Sequence, residues 1–378
     1  MDDTTAQRLW ARCFPDLGGS TNKVTVRSRA RLWAGMGNIY EVRAATSSSS
    51  NSSQTQTKKL IVKYVHPRLP KSGKLSIGDQ RKLDSYLVEA NFYEHFAKSL
   101  LEDYPHVPLP EPLCVERHLE DASNPTIIIC MGELMSSPGS SSSRNHKDEI
   151  DDVHVSVVKW LAKFHAATWH RSHGTSVNSM VQAVGSYWHF DTRPSEWQDM
   201  PRHGWEGRLK RAARAIDERL KRDPLHCWVH GDTKDANILY TRSSDMAFCD
   251  FQYTGRGPPS RDLSYYFCSS HVDDLDEQSS LLDIYYSDLT EHLRKENSIR
   301  ATSHDSSNQR EPHSIPTRQQ LDDSMELAYA DFCRFMCGWG YWGYDLSAQV
   351  KATLDKLDGG KMLESENDYQ EAVRRVFG

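Results

Sequence analysis

"HGDTKDANILYTRSSDMAFCDFQ", residues 230–252, sets two short apolar runs, 238–240 and 246–249, on either side of the turn-rich "TRSSD". Runs of that length around such a turn predict a β-hairpin. With the turn centred near residue 243 or 244, Asn237 falls opposite Asp250, and directly opposed positions lie roughly 4.5–5.5 Å apart. An amide oxygen and a carboxylate at that spacing can converge on one hard cation. Asp232, in the preceding loop, then faces the same point. An Asp base with an Asn and an Asp on magnesium is an arrangement that serves phosphoryl transfer, the base orienting and deprotonating an attacking hydroxyl.

The rest of the chain is consistent with a soluble enzyme of more than one compact part. At 378 residues it exceeds the usual single-domain size. Apolar residues make up 38% and charged residues 26%, a globular composition. A mean hydropathy of −0.68 implies polar inserts. The net charge of −6, with both signs interspersed, offers no basic stripe for a nucleic-acid backbone, so no nucleic-acid partner is expected. The eight cysteines are scattered in sequence without the close pairs of a tetrahedral zinc site. No stretch of 18 apolar residues is present, and "MDDTTAQRLWARCF" lacks a charged start followed by an apolar run. A reducing, cytoplasmic compartment and no membrane partner are therefore expected.

Three Ser-rich, apolar-poor segments read as insertions: residues 45–59, 136–149 and about 294–320. The first separates "NIYEVRA" (38–44) from "KLIVKYV" (59–65), two runs of strand character. The second separates the buried-strand pattern "TIIICMGEL" (126–134) from the helical pattern "VHVSVVKWLAKFHAATW" (153–169) and marks a hinge. Between them, residues 81–101 place Leu83, Leu87, Ala90, Tyr93 and Phe96 at helical spacing.

"HGDTKDAN" followed by "CDFQ" resembles the aminoglycoside phosphotransferase and choline kinase-like superfamily, and "DFQ" with "GRGPPSRDLSYYF" most resembles its ecdysteroid kinase-like (CHK) branch. The resemblance is strongest over 225–267. It implies an α+β, protein kinase-like two-lobed fold: an antiparallel-sheet N-lobe over 1–134, with the insert 45–58, and a mostly helical C-lobe over 135–378. It also implies ATP and Mg2+ as cofactors and a small-molecule hydroxylated acceptor, with no obligate protein partner. Asp232 matches the catalytic base, Asn237 and Asp250 the metal ligands, Asp262 a structural Asp, and His230 a residue that props the catalytic turn. Lys234 is expected to touch the transferred phosphate as a point charge.

A kinase also needs a strand lysine for the α and β phosphates and a helical Glu to position it. Lys63 shares its strand face with Ile61 and Val65, which sets a charge among apolar neighbours. Glu89 matches the family's helical Glu, with Glu94 as the competitor. Gly35, Gly37 and Asn38 occupy the turn where backbone amides would approach phosphate. Met131, Glu133 and Leu134 fall at the hinge that would meet adenine.

A protein kinase is disfavoured, because only twelve residues separate Asp250 from Asp262 and no Ala-Pro-Glu signature follows. A catalytically silent nucleotide-binding interaction module would have lost one of Lys63, Asp232, Asn237 or Asp250. The aromatic stretches "SYWHF" (186–190) and "CGWGYWGYD" (337–345), with Trp188, Trp339, Tyr341 and Trp342, are either core packing or an acceptor wall. "HVDDLDEQ" (271–278) is either an acidic rim or a solvated face.

Overall fold

Period-two alternation in "NIYEVRA" and "KKLIVKYV" turns one face of each segment inward. In the computed structural model they pair antiparallel as β2 (Gly37–Thr46) and β3 (Gln56–Val65), with Val42 opposite Leu60 and Ile39 opposite Lys63. The structure describes residues 1–17, 24–46, 56–67, 76–120, 125–133, 146–169, 180–240, 246–302 and 312–378. Leu134 and most of the Ser-rich segment 45–58 lie outside these residues.

β1 (Thr25–Arg31), β4 (Pro112–His118) and β5 (Thr126–Gly132) complete a five-stranded antiparallel sheet in the order β1-β2-β3-β5-β4. β5 lies inside the sheet, between β3 and β4, and carries the run "TIIIC", buried at every position. Burial on both faces explains why its sequence is a continuous apolar run instead of an alternation.

An N-terminal helix, α1 (Asp3–Cys13), presents Ala6, Leu9 and Trp10 at positions i, i+3 and i+4. They join Val42, Leu60, Val62, Ile128 and Cys130 in one core cluster. Each large side chain so buried contributes about 1.5–3 kcal/mol. α2 (Ile77–Phe92) begins at Ser76, whose hydroxyl accepts from the Asp79 amide. A wide π turn over Tyr93–Ala97 then leads into α3 (Lys98–Asp103).

The remainder of the chain is mostly helical: α4 (His146–Ala167), α5 (Pro194–Asp199), α6 (Gly204–Lys221), α7 (Ser260–Ser269), α8 (Leu275–Thr302), α9 (Arg318–Trp339), α10 (Ser347–Asp358) and α11 (Glu366–Phe377). Four short strands lie in and around the opening stretch, two of them forming its hairpin and two flanking it. β6 (Cys227–Val229) pairs with β9 (Gly255–Gly257), and β7 (Ile238–Tyr240) pairs with β8 (Met246–Phe248).

The chain is therefore α+β, with an N-terminal antiparallel sheet and a helical C-terminal region. By packing it divides into two units, Met1–Gly139 with Leu239–Gln252, and Ser140–Ile238 with Tyr253–Gly378. The hairpin is thus grouped with the sheet unit, against the simple division at residue 134. The insert expected over 294–320 is also shorter than its composition suggests. α8 runs on through Thr302, and α9 opens at Arg318 with a reciprocal Thr317–Gln320 capping box.

Candidate active site

In the sheet unit, β3 delivers Lys63 and α2 delivers Glu89. The Lys63 ammonium donates to Glu89 Oε2 at 2.6 Å and to Asp250 Oδ1 at 2.8 Å, and it lies 5.0 Å from the Tyr86 ring centre. Lys63 and Glu89 are buried, whereas the Asp250 side chain keeps 30% of its exposure. Burial opposes the charge on Lys63, but the carboxylates of Asp250 and Glu89 outweigh it and hold the ammonium above the ordinary lysine value. Burial pushes the Glu89 carboxyl up to about 7, against the pull of Lys63.

Glu94, the competing candidate, is exposed and bonds Arg117 instead. Asp250 itself sits at φ 70°, a left-handed conformation uncommon outside glycine, asparagine and aspartate. Its neighbour Phe251 is fully buried and stacks on Phe92 at 4.0 Å, and Gln252 accepts from Ser85. The three residues of "DFQ" therefore anchor to α2 or to the Lys63 it positions.

The glycine turn divides by residue. An added Cβ at Gly37 would meet the Tyr64 carbonyl oxygen at 2.1 Å, so β3 alone dictates that glycine. Gly35, at φ +73°, has open space around it. Asn38 is a strand residue opposite Tyr64 and Arg31. At the end of β5 the Met131 side chain is buried, the Gly132 amide donates to Glu111 O at 2.9 Å, and Glu133 is bonded by Lys59.

In the helical unit, the loop after β6 is built around Asp262 of α7. Its carboxylate accepts from the His230 amide at 2.6 Å and the Gly231 amide at 2.8 Å, and His165 Nε2 lies 3.1 Å from the same group. The Thr233 hydroxyl donates to the Asp262 carbonyl at 2.8 Å. Three bonds lock the turn onto Asp262, and His165 of α4 holds the carboxylate itself. Gly231 is obligatory there, since its φ is +82° and a Cβ would sit 2.3 Å from the Tyr253 carbonyl oxygen. His230 accepts the Asp232 amide on its ring, and His165 is fully buried with its other nitrogen on the Tyr285 hydroxyl.

Asp232, 4% exposed, receives three side-chain donors on this turn. Lys234 Nζ is 2.8 Å and Asn237 Nδ2 3.0 Å from Oδ2, and the Tyr265 hydroxyl is 3.1 Å from Oδ1. Asn237 also donates to the Asp232 carbonyl at 2.8 Å. Tyr265 was not singled out from sequence, although it lies one helical step after Asp262 in "RDLSYYF". Lys234 is tied to the carboxylate and only partly exposed, not simply solvated.

The aromatic stretches separate into two kinds. Trp188 is fully buried against Phe332 and the Arg261 guanidinium, and so belongs to the core. Trp339 and Tyr341 are about half exposed, and Trp342 packs edge-on to Tyr265. Arg193 lies over the rings of Tyr187, Phe335 and Trp339. The acidic run "HVDDLDEQ" opens α8: Asp274 accepts from the amides of Asp276 and Glu277, an ordinary capping role.

The sequence profile of the phosphotransferase enzyme family matches residues 61–295, more than half of the chain. No curated protein matches. Among solved structures, the chain is similar to choline kinase LicA from Streptococcus pneumoniae at 15% identity, covering 93% of this chain and 92% of that one, TM-score 0.37. It is similar at 14% identity to aminoglycoside phosphotransferase APH(3'')-Id from Streptomyces rimosus in complex with ADP and streptomycin, covering 86% and 99%, TM-score 0.40. A thermostable mutant of aminoglycoside phosphotransferase APH(4)-Ia is 12% identical over 98% and 99%, TM-score 0.40. At these scores the structural likeness adds nothing to the family match. Among the described residues no helix is long and apolar enough to cross a membrane.

Proposed function

We propose that this chain, which belongs to the phosphotransferase enzyme family, is a small-molecule kinase that transfers the γ-phosphate of ATP to a hydroxyl, with Asp232 as the base. The observation that carries the reading is the convergence of Lys234, Asn237 and Tyr265 on one buried carboxylate. A carboxylate held by three donors has a fixed orientation, which is what a base that must meet a hydroxyl at hydrogen-bond distance requires.

Lys63, kept charged by Asp250 and Glu89, would bind the α and β phosphates, with the open turn at Gly35 near them and the end of β5 at Met131 and Glu133 near the adenine ring. Asn237 and Asp250 would hold magnesium. The donor set fits that ion: both residues offer oxygen, Asn237 through the amide oxygen, since its nitrogen is committed to Asp232. When bound, magnesium supplies neutralisation of the phosphate oxygens as charge develops on them. Asp232 would accept the acceptor's proton. Lys234, drawn to the same carboxylate, would stand beside the transferred group as a positive charge.

Tyr265 connects the base to Tyr187 through ring contact at 5.6 Å, and Arg193 already covers Tyr187, Phe335 and Trp339. A guanidinium on those faces repels a second cation, so the acceptor is a hydroxylated molecule without a quaternary ammonium. That choice agrees with the CHK-type "DFQ", and a cytoplasmic site of action is part of the same proposal. The test is ATP consumption with a panel of sterols, sugars, choline, ethanolamine and aminoglycosides. Turnover raised by an uncharged alcohol and absent in Asp232→Asn is expected. Turnover with choline alone would refute the acceptor assignment, and acceptor-dependent turnover surviving in Asp232→Asn would refute the base.

A further inference from the structure

Cys13 ends α1, Cys114 lies on β4 and Cys130 on β5, at positions 101 and 16 residues apart that no sequence spacing links. The fold nevertheless brings their sulfurs within 4.8 Å of one another, and the Cys13 and Cys114 sulfurs are 3.5 Å apart. This corrects the expectation that the scattered cysteines form no metal-type grouping. Cys114 and Cys130 are direct cross-strand partners, and α1 lays Cys13 beside them. We propose that the three cysteines are a binding site for a divalent thiophilic cation of the zinc class, which ties the N-terminal helix to the sheet.

The distances suit that ion. Zinc–sulfur bonds of about 2.3 Å in a tetrahedron separate sulfurs by about 3.8 Å, so even a pair at the 4.8 Å limit would close by only about 1 Å. Cys130 is fully buried, while Cys13 and Cys114 are half-buried, which leaves the fourth position to water.

Charge selects the oxidation state. A divalent ion with three thiolates carries one net negative charge, whereas a monovalent ion such as cuprous copper would carry two. Beside the cluster, Glu116 is bonded by both Arg8, at 2.6 and 2.8 Å, and Arg12, at 2.7 Å, a group with one net positive charge. The divalent complex and this group cancel, which is what a site at the margin of an apolar core requires. Metal entry displaces three thiol protons to solvent, so no oxidant or reductant is needed.

The test uses the full chain, reduced and metal-free, titrated with zinc against a chromophoric chelator and with cadmium to read thiolate-to-metal charge transfer. One ion per chain is expected, with affinity reduced at least about tenfold in Cys13→Ser, a change at the half-buried last residue of α1, outside the sheet. Cys13→Ser should also lose about a third of the cadmium band, since one of three sulfurs is gone. Cys333→Ser, outside the cluster, should leave both readings unchanged. Circular dichroism of the metal-free Cys13→Ser chain verifies its fold. No stoichiometric binding, or binding equal in Cys13→Ser, would overturn the site. So would a Cys13–Cys114 disulfide found by mass spectrometry in chain purified with its thiols trapped.

Discussion

Replacing Lys63 by methionine removes a cation shared by Glu89 and Asp250 while keeping the length of the side chain. At 2.6 Å and an effective dielectric of about 20, the gross attraction of one such pair is about 6 kcal/mol, most of it offset by desolvation of the ions. Truncating one partner of a buried pair costs about 3–5 kcal/mol, because the other charge is left stranded. Here the value should fall near the lower end. Glu89, already pushed up to about 7 by burial, escapes by taking a proton, and Asp250 is exposed enough to regain water. We expect Lys63→Met to cost about 3 kcal/mol and Lys63→Met/Glu89→Leu to cost less than Lys63→Met alone, a coupling of about 2 kcal/mol. Hydrogen exchange on β3 and α2 reports the opening free energy of this unit directly. A double variant whose loss equals the sum of the two single losses would refute the reasoning, since it would mean that Lys63 and Glu89 stabilise the unit independently.

Tyr265→Phe deletes a bond to a buried carboxylate worth about 1.5–3 kcal/mol. It should lower kcat roughly tenfold or more, with nucleotide Kd measured by calorimetry unchanged. Lys234→Ala should also lower turnover more than nucleotide affinity, and unchanged turnover in steady-state kinetics would remove Lys234 from the chemistry. His189 is buried, and burial, with Arg261 nearby, lowers its ring to about 3. Because the unfolded ring titrates near 6.5, the unfolded state binds the extra proton, and stability is lost as pH falls from about 6.5 toward 3. Between pH 7 and 5, His189→Gln should therefore lose about 2 kcal/mol less than the parent chain in denaturant titrations.

Local patterns carried the hairpin at 238–248 and the strands β2, β3 and β5, because period and turn chemistry act within a few residues. Lys63 was legible for a similar reason, as a charge on an inward strand position, and Glu89 entered only through the family resemblance. α1 was missed although Ala6, Leu9 and Trp10 carry helical spacing, since its apolar stripe is one turn long. Long-range partners left no local trace. Tyr265 meets Asp232 across 33 residues, and Cys13 meets Cys114 across 101. The aromatic stretches were ambiguous because a tryptophan of the core and one at the surface have the same neighbours in sequence, and only burial separates Trp188 from Trp339.

The most direct test of the central claim is a single-turnover measurement of γ-phosphate transfer to the alcohol that the panel identifies, comparing the parent chain with Asp232→Asn at saturating nucleotide. Nucleotide affinity should be retained while the transfer rate falls by at least about 10²-fold, the usual contribution of a positioned general base. A transfer rate in Asp232→Asn within a few-fold of the parent chain would contradict it.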